Sequence, residues 1–174
     1  GRAAGDVEAL AEQLDERDSV AIVSYAGKSA VVLPPTRGDR HAVIINALDK
    51  IEAGGMTNGE QGMKQAYELA GNAYIQGGIN RVLLATDGDF NLGATKKADL
   101  EDFIALKART GIYLSVLGFG RYNVNDSTME TLADKGNGNY AFIDGKAEAK
   151  RVLVDQVAGT LATIAKDVKI QVSW

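Results

Sequence analysis

Apolar positions along the chain fall into two alternating kinds of stretch. Val7, Leu10, Ala11 and Leu14 recur at helical spacing, the polar run "DERDS" breaks the pattern, and Val20 to Tyr25 is then almost uninterruptedly apolar. The first stretch reads as a helix. The second reads as a strand buried on both faces, because a parallel strand covered by helices has no polar side. "AVVLPPT" (Ala30 to Thr36) predicts a short strand stopped by its two prolines and placed at a sheet edge, since proline cannot donate to a ladder. A helix follows with Val43, Ile44, Ala47, Leu48 and Ile51 on one face, then a second carrying Met63, Ala66, Tyr67, Ala70 and Tyr74. Val82, Leu83, Leu84 and Ala85 form the next buried strand.

Beyond it, Ala98 to Arg109 reads as a helix burying Leu100, Phe103, Ile104 and either Leu106 or the stem of Lys107, and "IYLSVLGFG" reads as another buried strand. Asp126 is placed to cap a short helix holding Met129, Leu132 and Ala133 and ending at Gly136. "NYAFI" (Asn139 to Ile143) is a short strand, and Leu153, Val157, Leu161 and Ile164 mark a long final helix. "DVKIQVSW" alternates strictly, with Val168, Ile170, Val172 and Trp174 on one side, as a half-exposed edge strand does.

Strands alternating with helices at this spacing predict a three-layer, doubly wound, Rossmann-like α/β domain with a mostly parallel sheet and right-handed crossovers. Residues 1–166 are expected to form it, and residues 167–174 to be an edge strand leading into a following segment. The 174 residues suit one domain, and their 45% hydrophobic and 24% charged content is that of an ordinary globule. Nineteen basic against 23 acidic residues give a net charge of −4, with no long Lys/Arg cluster, which argues against a nucleic-acid partner. The absence of cysteine excludes disulfides, thiolate metal sites and cysteine nucleophiles. No apolar stretch approaches the roughly 20 residues that span a bilayer, so no membrane contact is expected of this segment.

The chemistry concentrates where the third strand stops. In "RVLLATDGDFNLG" the apolar run ends at Asp87 and Asp89, separated by one glycine. In open α/β sheets ligands gather outside the carboxyl ends of strands, so carboxylates there are candidates for metal or phosphate chemistry, although Asp, Gly and Asn also make ordinary turns. "GGMTNGEQG" (Gly54 to Gly62) places one hydroxyl, Thr57, in a glycine-rich loop that runs into a helix. A hydroxyl with carboxylates is a hard-oxygen set suited to Mg²⁺ or Mn²⁺ rather than zinc. Other motifs are weaker. Gly27, Lys28 and Ser29 spell the tail of a phosphate loop but lack its first glycine, and read as a hairpin turn; His41 has no triad partner and reads as a surface residue.

The order "VAIVSYAG", "GGMTNGEQGMKQAYELA", "NRVLLATDGDFNLG", "IYLSVLGFG", "METLADKGNGNYAFID" resembles a von Willebrand factor type A domain of the bacterial cell-envelope branch, over about Val7 to Ile164. The resemblance implies a binding module rather than an enzyme, with a metal-ion-dependent adhesion site at which a divalent cation (Mg²⁺, Mn²⁺ or Ca²⁺) is completed by a carboxylate of a protein partner. It also favours an extracytoplasmic or cell-envelope location. It matches Thr57 to the family's metal-binding threonine and Asp87 to its "TDG" aspartate, and leaves Asp89 as a residue acting from behind the ligands. The family's Asp-x-Ser-x-Ser loop, which follows its first, central strand, is absent from these 174 residues. By the resemblance the metal site is then incomplete in this chain. The strands at Val20 to Tyr25 and Val82 to Thr86 would flank a gap. Direct pairing of the two, an upstream segment, or a strand from another copy in a swapped homodimer would fill it; the alternating C-terminal strand suits it poorly, since Lys169 and Gln171 would be buried.

Two other functions compete. "DGDFN", with the pair Asp87 and Asp89, is similar to the Asp-x-Asp motif of Mg²⁺-dependent phosphohydrolases, in which one aspartate attacks phosphorus and the other protonates the leaving group. Against it, the motif lies mid-chain, Asn91 replaces the usual threonine or valine, and no lysine-bearing loop or downstream acidic pair stands out. The other alternative is a structural domain whose metal site is vestigial.

Overall fold

A computed structural model of the chain describes residues 11–25, 29–51, 59–86, 94–119 and 126–143. Five strands and four helices lie within them: β1 (Ser19–Ser24), β2 (Ala30–Arg37), α1 (His41–Asp49), α2 (Gly59–Asn72), β3 (Asn80–Thr86), α3 (Ala94–Arg109), β4 (Ile112–Phe119), α4 (Asp126–Lys135) and β5 (Tyr140–Ile143). The strands β3, β4 and β5 pair in that order and all in parallel, with Val82 opposite Leu114 and Leu117 opposite Ala141. The strands β1 and β2 form a separate antiparallel hairpin. The α/β class with a parallel sheet is as the pattern predicts. The N-terminal positions Val7 and Leu10, the helix at Leu153 to Ile164 and the alternating strand at Val168 to Trp174 lie outside the described residues.

Alternation within β3 and β4 builds the main core. Val82 and Leu84 of β3 and Ile112, Leu114 and Val116 of β4 point to one side, where they meet Met63 and Tyr67 of α2, Leu100 and Ile104 of α3, and Met129, Leu132 and Ala133 of α4. The other side of β4 is buried as well, at Ser115 and Leu117, as a sheet between two layers requires. A smaller cluster joins Leu33 of β2, Val20 and Ile22 of β1, Ala11, and Ile44, Ala47 and Leu48 of α1.

Several expectations are refined by packing. The strand β2 runs through Pro34 and Pro35 instead of stopping at them. Its register with β1 shifts between Val20↔Thr36 and Ile22↔Leu33, so the two prolines sit in a bulge where the ladder needs no donor. Leu106 is 58% exposed, and the stem of Lys107 takes the inward position, with its ammonium 5.4 Å from the Phe103 ring centroid. Val43, Ile51 and Tyr74, placed on buried helix faces by spacing, are exposed. Ile51 and Tyr74 lie beyond the ends of their helices. His41 is more than a surface residue: its Nε2–H donates to the Leu14 carbonyl at 2.9 Å and ties the start of α1 to the preceding segment.

The end of α4 shows why its glycines are needed. The amide of Asn137 donates to Asp134 and that of Gly138 to Ala133, and Asn137 takes the left-handed conformation at φ 50°, which is the Schellman pattern with Asn in place of the usual glycine. This turn lies flat on β4. The amide of Leu114 donates to the Gly136 carbonyl at 2.9 Å, and a Cβ on Gly138 would overlap the Leu114 carbonyl. Tyr67 presents the opposite case. Its ring is fully buried edge-on against Phe103 at 5.4 Å, yet its hydroxyl has no hydrogen-bond partner among the described residues, and burial pushes its ionisation well above the ordinary tyrosine value.

Two stability outcomes follow. Gly138→Ala should cost about 2–3 kcal/mol in urea unfolding, the scale of a backbone overlap that must be relieved by movement. Tyr67→Phe should leave stability unchanged or raise it by about 1 kcal/mol, because it deletes a buried donor that has no acceptor, whereas Tyr67→Ala should cost about 3–5 kcal/mol through the cavity it opens.

Candidate functional site at the carboxyl rim of the sheet

Parallel pairing places the ends of β3 and β4, and the starts of the helices that follow them, at one rim. The chain leaves β3 at Thr86 and returns at Ala94, and it leaves β4 at Phe119 and returns at Asp126. The helix α2 begins at Gly59, directly after the glycine-rich segment. Its position relative to β3 is set by one aromatic side chain. Tyr25, the residue after β1, donates its hydroxyl to the Ala85 carbonyl at 2.6 Å, and its Cβ lies where a Cβ on Gly62 of α2 would come within 2.5 Å. Only glycine at position 62 lets the first turn of α2 approach that closely. A second tie runs from the hairpin to the same helix, where the Ser29 hydroxyl donates to Gln65 Oε1 at 2.6 Å.

The start of α2 and the end of β3 are thus brought to one place by Tyr25, Gly62 and Ala85. Of these, Tyr25 read in the sequence only as the last residue of a buried strand. The available signal was chemical: a tyrosine at a strand end carries a hydroxyl that needs a partner, and here the partner lies 60 residues away. Thr86, the last residue of β3, is buried. At the neighbouring position on β4, Gly118 has Tyr140 Oη and the Phe142 ring against it, so a side chain there would have to push the Tyr140 ring aside.

Glu60 sits in the first turn of α2, where the helix dipole favours an acid, and is held by Lys64 at 2.7 Å. Lys97 of α3 donates to Thr128 Oγ1 at 3.1 Å and so links the first turns of α3 and α4. Among the described residues no three His, Cys, Asp or Glu side chains converge as a metal site. The candidates from the sequence, Thr57, Asp87 and Asp89, lie outside the described residues. What the structure places is the two elements that bear them in sequence: the helix that begins two residues after Thr57 and the strand that ends one residue before Asp87. The donor set of one hydroxyl and two carboxylates fits a hard divalent cation.

The chain is 44% identical over 165 residues to the uncharacterised protein YfbK of Escherichia coli K12, an alignment that covers 95% of this chain and 29% of that protein. It spans under a third of the length of the curated relatives it matches. Among solved structures it superposes on the conserved hypothetical protein BatB from Bacteroides thetaiotaomicron with a TM-score of 0.71 at 20% identity, covering 91% of this chain and 86% of that one. It also superposes on the proximal thread matrix protein 1 of mussel byssus, whose metal-ion-dependent adhesion site holds zinc, with a TM-score of 0.64 at 16% identity, covering 87% and 40% of the two chains. Residues 4–156 match the family model of the von Willebrand factor type A domain, and the chain belongs to that family.

Proposed function

We propose that this chain is the core of a protein-binding module that grips an acidic side chain of its partner through a divalent cation, with Thr57 and Asp87 as two of the cation's ligands and Asp89 orienting them from behind. The observation that supports this reading is the convergence at the rim: Tyr25 joins the end of β3 to the start of α2, the elements that carry Asp87 and Thr57 in sequence. Family membership supports it in general, and the zinc-occupied mussel protein shows that a domain of this fold can hold a metal at its adhesion site.

When bound, the cation supplies a Lewis-acidic point for a partner carboxylate. The chain's own part is to present oxygen. Thr57 offers a neutral hydroxyl that exchanges with water at small cost, so it can ligate directly or through a water as partner affinity changes. Asp87 offers the charge that holds the ion, and Asp89 accepts hydrogen bonds that orient it. Mg²⁺ and Mn²⁺ suit these oxygens, and Ca²⁺ is the larger alternative. An Asp-x-Ser-x-Ser loop lying outside these 174 residues would complete the ligand set, and in this chain alone the site is incomplete. No described helix is long and apolar enough to cross a membrane. The bacterial relatives favour a cell-envelope setting.

Titration calorimetry tests the reading. A chain extended to include an Asp-x-Ser-x-Ser loop should bind Mg²⁺ or Mn²⁺, while the 174-residue chain should bind it far more weakly. In the extended chain Asp87→Ala should abolish binding, and Asp89→Asn should weaken it by about tenfold, the scale of a group that acts through a ligand. Retention of full affinity in Asp87→Ala overturns the assignment. Metal binding accompanied by phosphatase turnover would favour the enzymatic alternative instead.

A further inference from the structure

The turn that ends α4 holds a chemically labile pair. Asparagine is a thermolabile residue, and most so before glycine, which has no Cβ to shield its backbone nitrogen from the preceding side-chain amide. Only Asn58 and Asn137 are followed by glycine in this chain, and Asn58 lies outside the described residues. Asn137 is exposed to water, in a left-handed conformation at φ 50° that asparagine tolerates better than most residues. A Cβ on the next residue would overlap the Leu114 carbonyl. The packing that demands glycine at position 138 thus also supplies the unshielded nitrogen.

The same turn restrains the reaction. The Gly138 amide donates to the Ala133 carbonyl at 2.9 Å. On either side of Asn137 the chain is stitched to β4, where the Leu114 amide donates to the Gly136 carbonyl and the Val116 amide to the Asn139 carbonyl, both at 2.9 Å. The Asn139 amide adds a longer bond to the Ser115 hydroxyl at 3.4 Å. For its nitrogen to attack, Gly138 must release Ala133, which requires the last turn of α4 to open locally.

We infer that Asn137 and Gly138 form a site of spontaneous covalent modification, deamidation to isoaspartate through a succinimide, which proceeds only when the end of α4 opens and then keeps the turn from closing again on β4. The Gly138 nitrogen gives its proton to solvent base and bonds to Asn137 Cγ. The Cγ–Nδ2 bond breaks, and the side-chain nitrogen leaves as ammonia. Water then opens the ring: addition at the side-chain carbonyl leaves aspartate, and addition at the main-chain carbonyl leaves isoaspartate. Water enters, ammonia departs, and nothing is oxidised or reduced. Both products carry a negative charge where the amide was neutral. In isoaspartate the chain runs through Cβ and Cγ, so it is longer by one C–C bond of about 1.5 Å. Gly136 and Asn139 are fixed to β4 on either side, and a longer link between them does not fit the closed turn. The start of β5 is thereby released from β4. This inference stands apart from the metal reading.

The test is ageing of the 174-residue chain in mildly alkaline buffer. Mass spectrometry follows the tryptic peptide 136–146, "GNGNYAFIDGK", and enzymatic methylation detects isoaspartate. Isoaspartate should form at residue 137 about tenfold or more slowly than in the chain unfolded in urea, and urea below the unfolding midpoint should raise the rate. The aged fraction, separated by its added charge, should exchange the Leu114 and Val116 amides about tenfold or more faster than the fresh chain. Asn137→Asp carries the same charge on an unaltered backbone and should leave both amides as they were. In Asn137→Gly, which suits the left-handed turn, ageing should not alter them. Absence of isoaspartate at residue 137 of the folded chain, once the unfolded chain is converted, overturns the inference. An equal rate in the two states also overturns it, as does equal loosening in Asn137→Asp, which would assign the effect to charge.

Discussion

Backbone hydrogen bonding at the facing edges of β1 and β3 is the constraint on which the rest of this structure depends. Each interior strand has donors and acceptors on both sides, and each one left without a partner away from water costs about 1–3 kcal/mol, so a few of them outweigh a typical domain's net stability. Among the described residues β1 is paired on one side, with β2, and β3 on one side, with β4, while β4 is paired on both, with β3 and β5. Direct pairing of β1 with β3, one of the three ways expected to close the gap, does not occur among them. A phenol hydroxyl bridges the two sheets at their carboxyl ends instead.

That bridge also organises the rim. The close approach of α2 to Tyr25 depends on Gly62, and the anchoring of Tyr25 depends on the Ala85 carbonyl one residue before the end of β3. Three positions far apart in sequence thereby fix the mutual placement of the two elements that flank Thr57 and Asp87. The family's way of binding, a cation held by loops at the carboxyl rim, requires such loops to start from fixed points. Among the described residues those points are held by one hydrogen bond and one glycine contact.

Away from the gap the structure is conventional in its energetics. The core between β3, β4 and helices α2 to α4 is made of the residues that spacing selects, and polar groups within it are mostly satisfied. Asn80, buried at the start of β3, exchanges two 2.9 Å bonds with the backbone of Ile75 and closes the preceding turn. Arg81 hydrogen-bonds Ser115 and lies 6.0 Å from the Tyr113 ring, so that although burial lowers its basicity its charge has polar company. The Tyr67 hydroxyl, by contrast, is buried without an acceptor among the described residues.

The period of apolar residues by itself determined the order and type of β1 to β5 and α1 to α4, because burial of one face selects for spacings of two or of three and four, and these survive in any tertiary setting. The recognisable residues around "TDGD" and "GGMTNGEQG" likewise nominated the carboxyl rim as the candidate site. What only the tertiary structure decided were questions of register and reach. Spacing could not tell Leu106 from Lys107, since both lie near the boundary of the buried stripe and packing against Phe103 chose between them. It read Pro34 and Pro35 as a stop, because a bulge depends on the partner strand. It gave no sign that the Tyr25 hydroxyl would reach the Ala85 carbonyl, since hydrogen bonds between residues 60 apart leave no periodic trace along the chain.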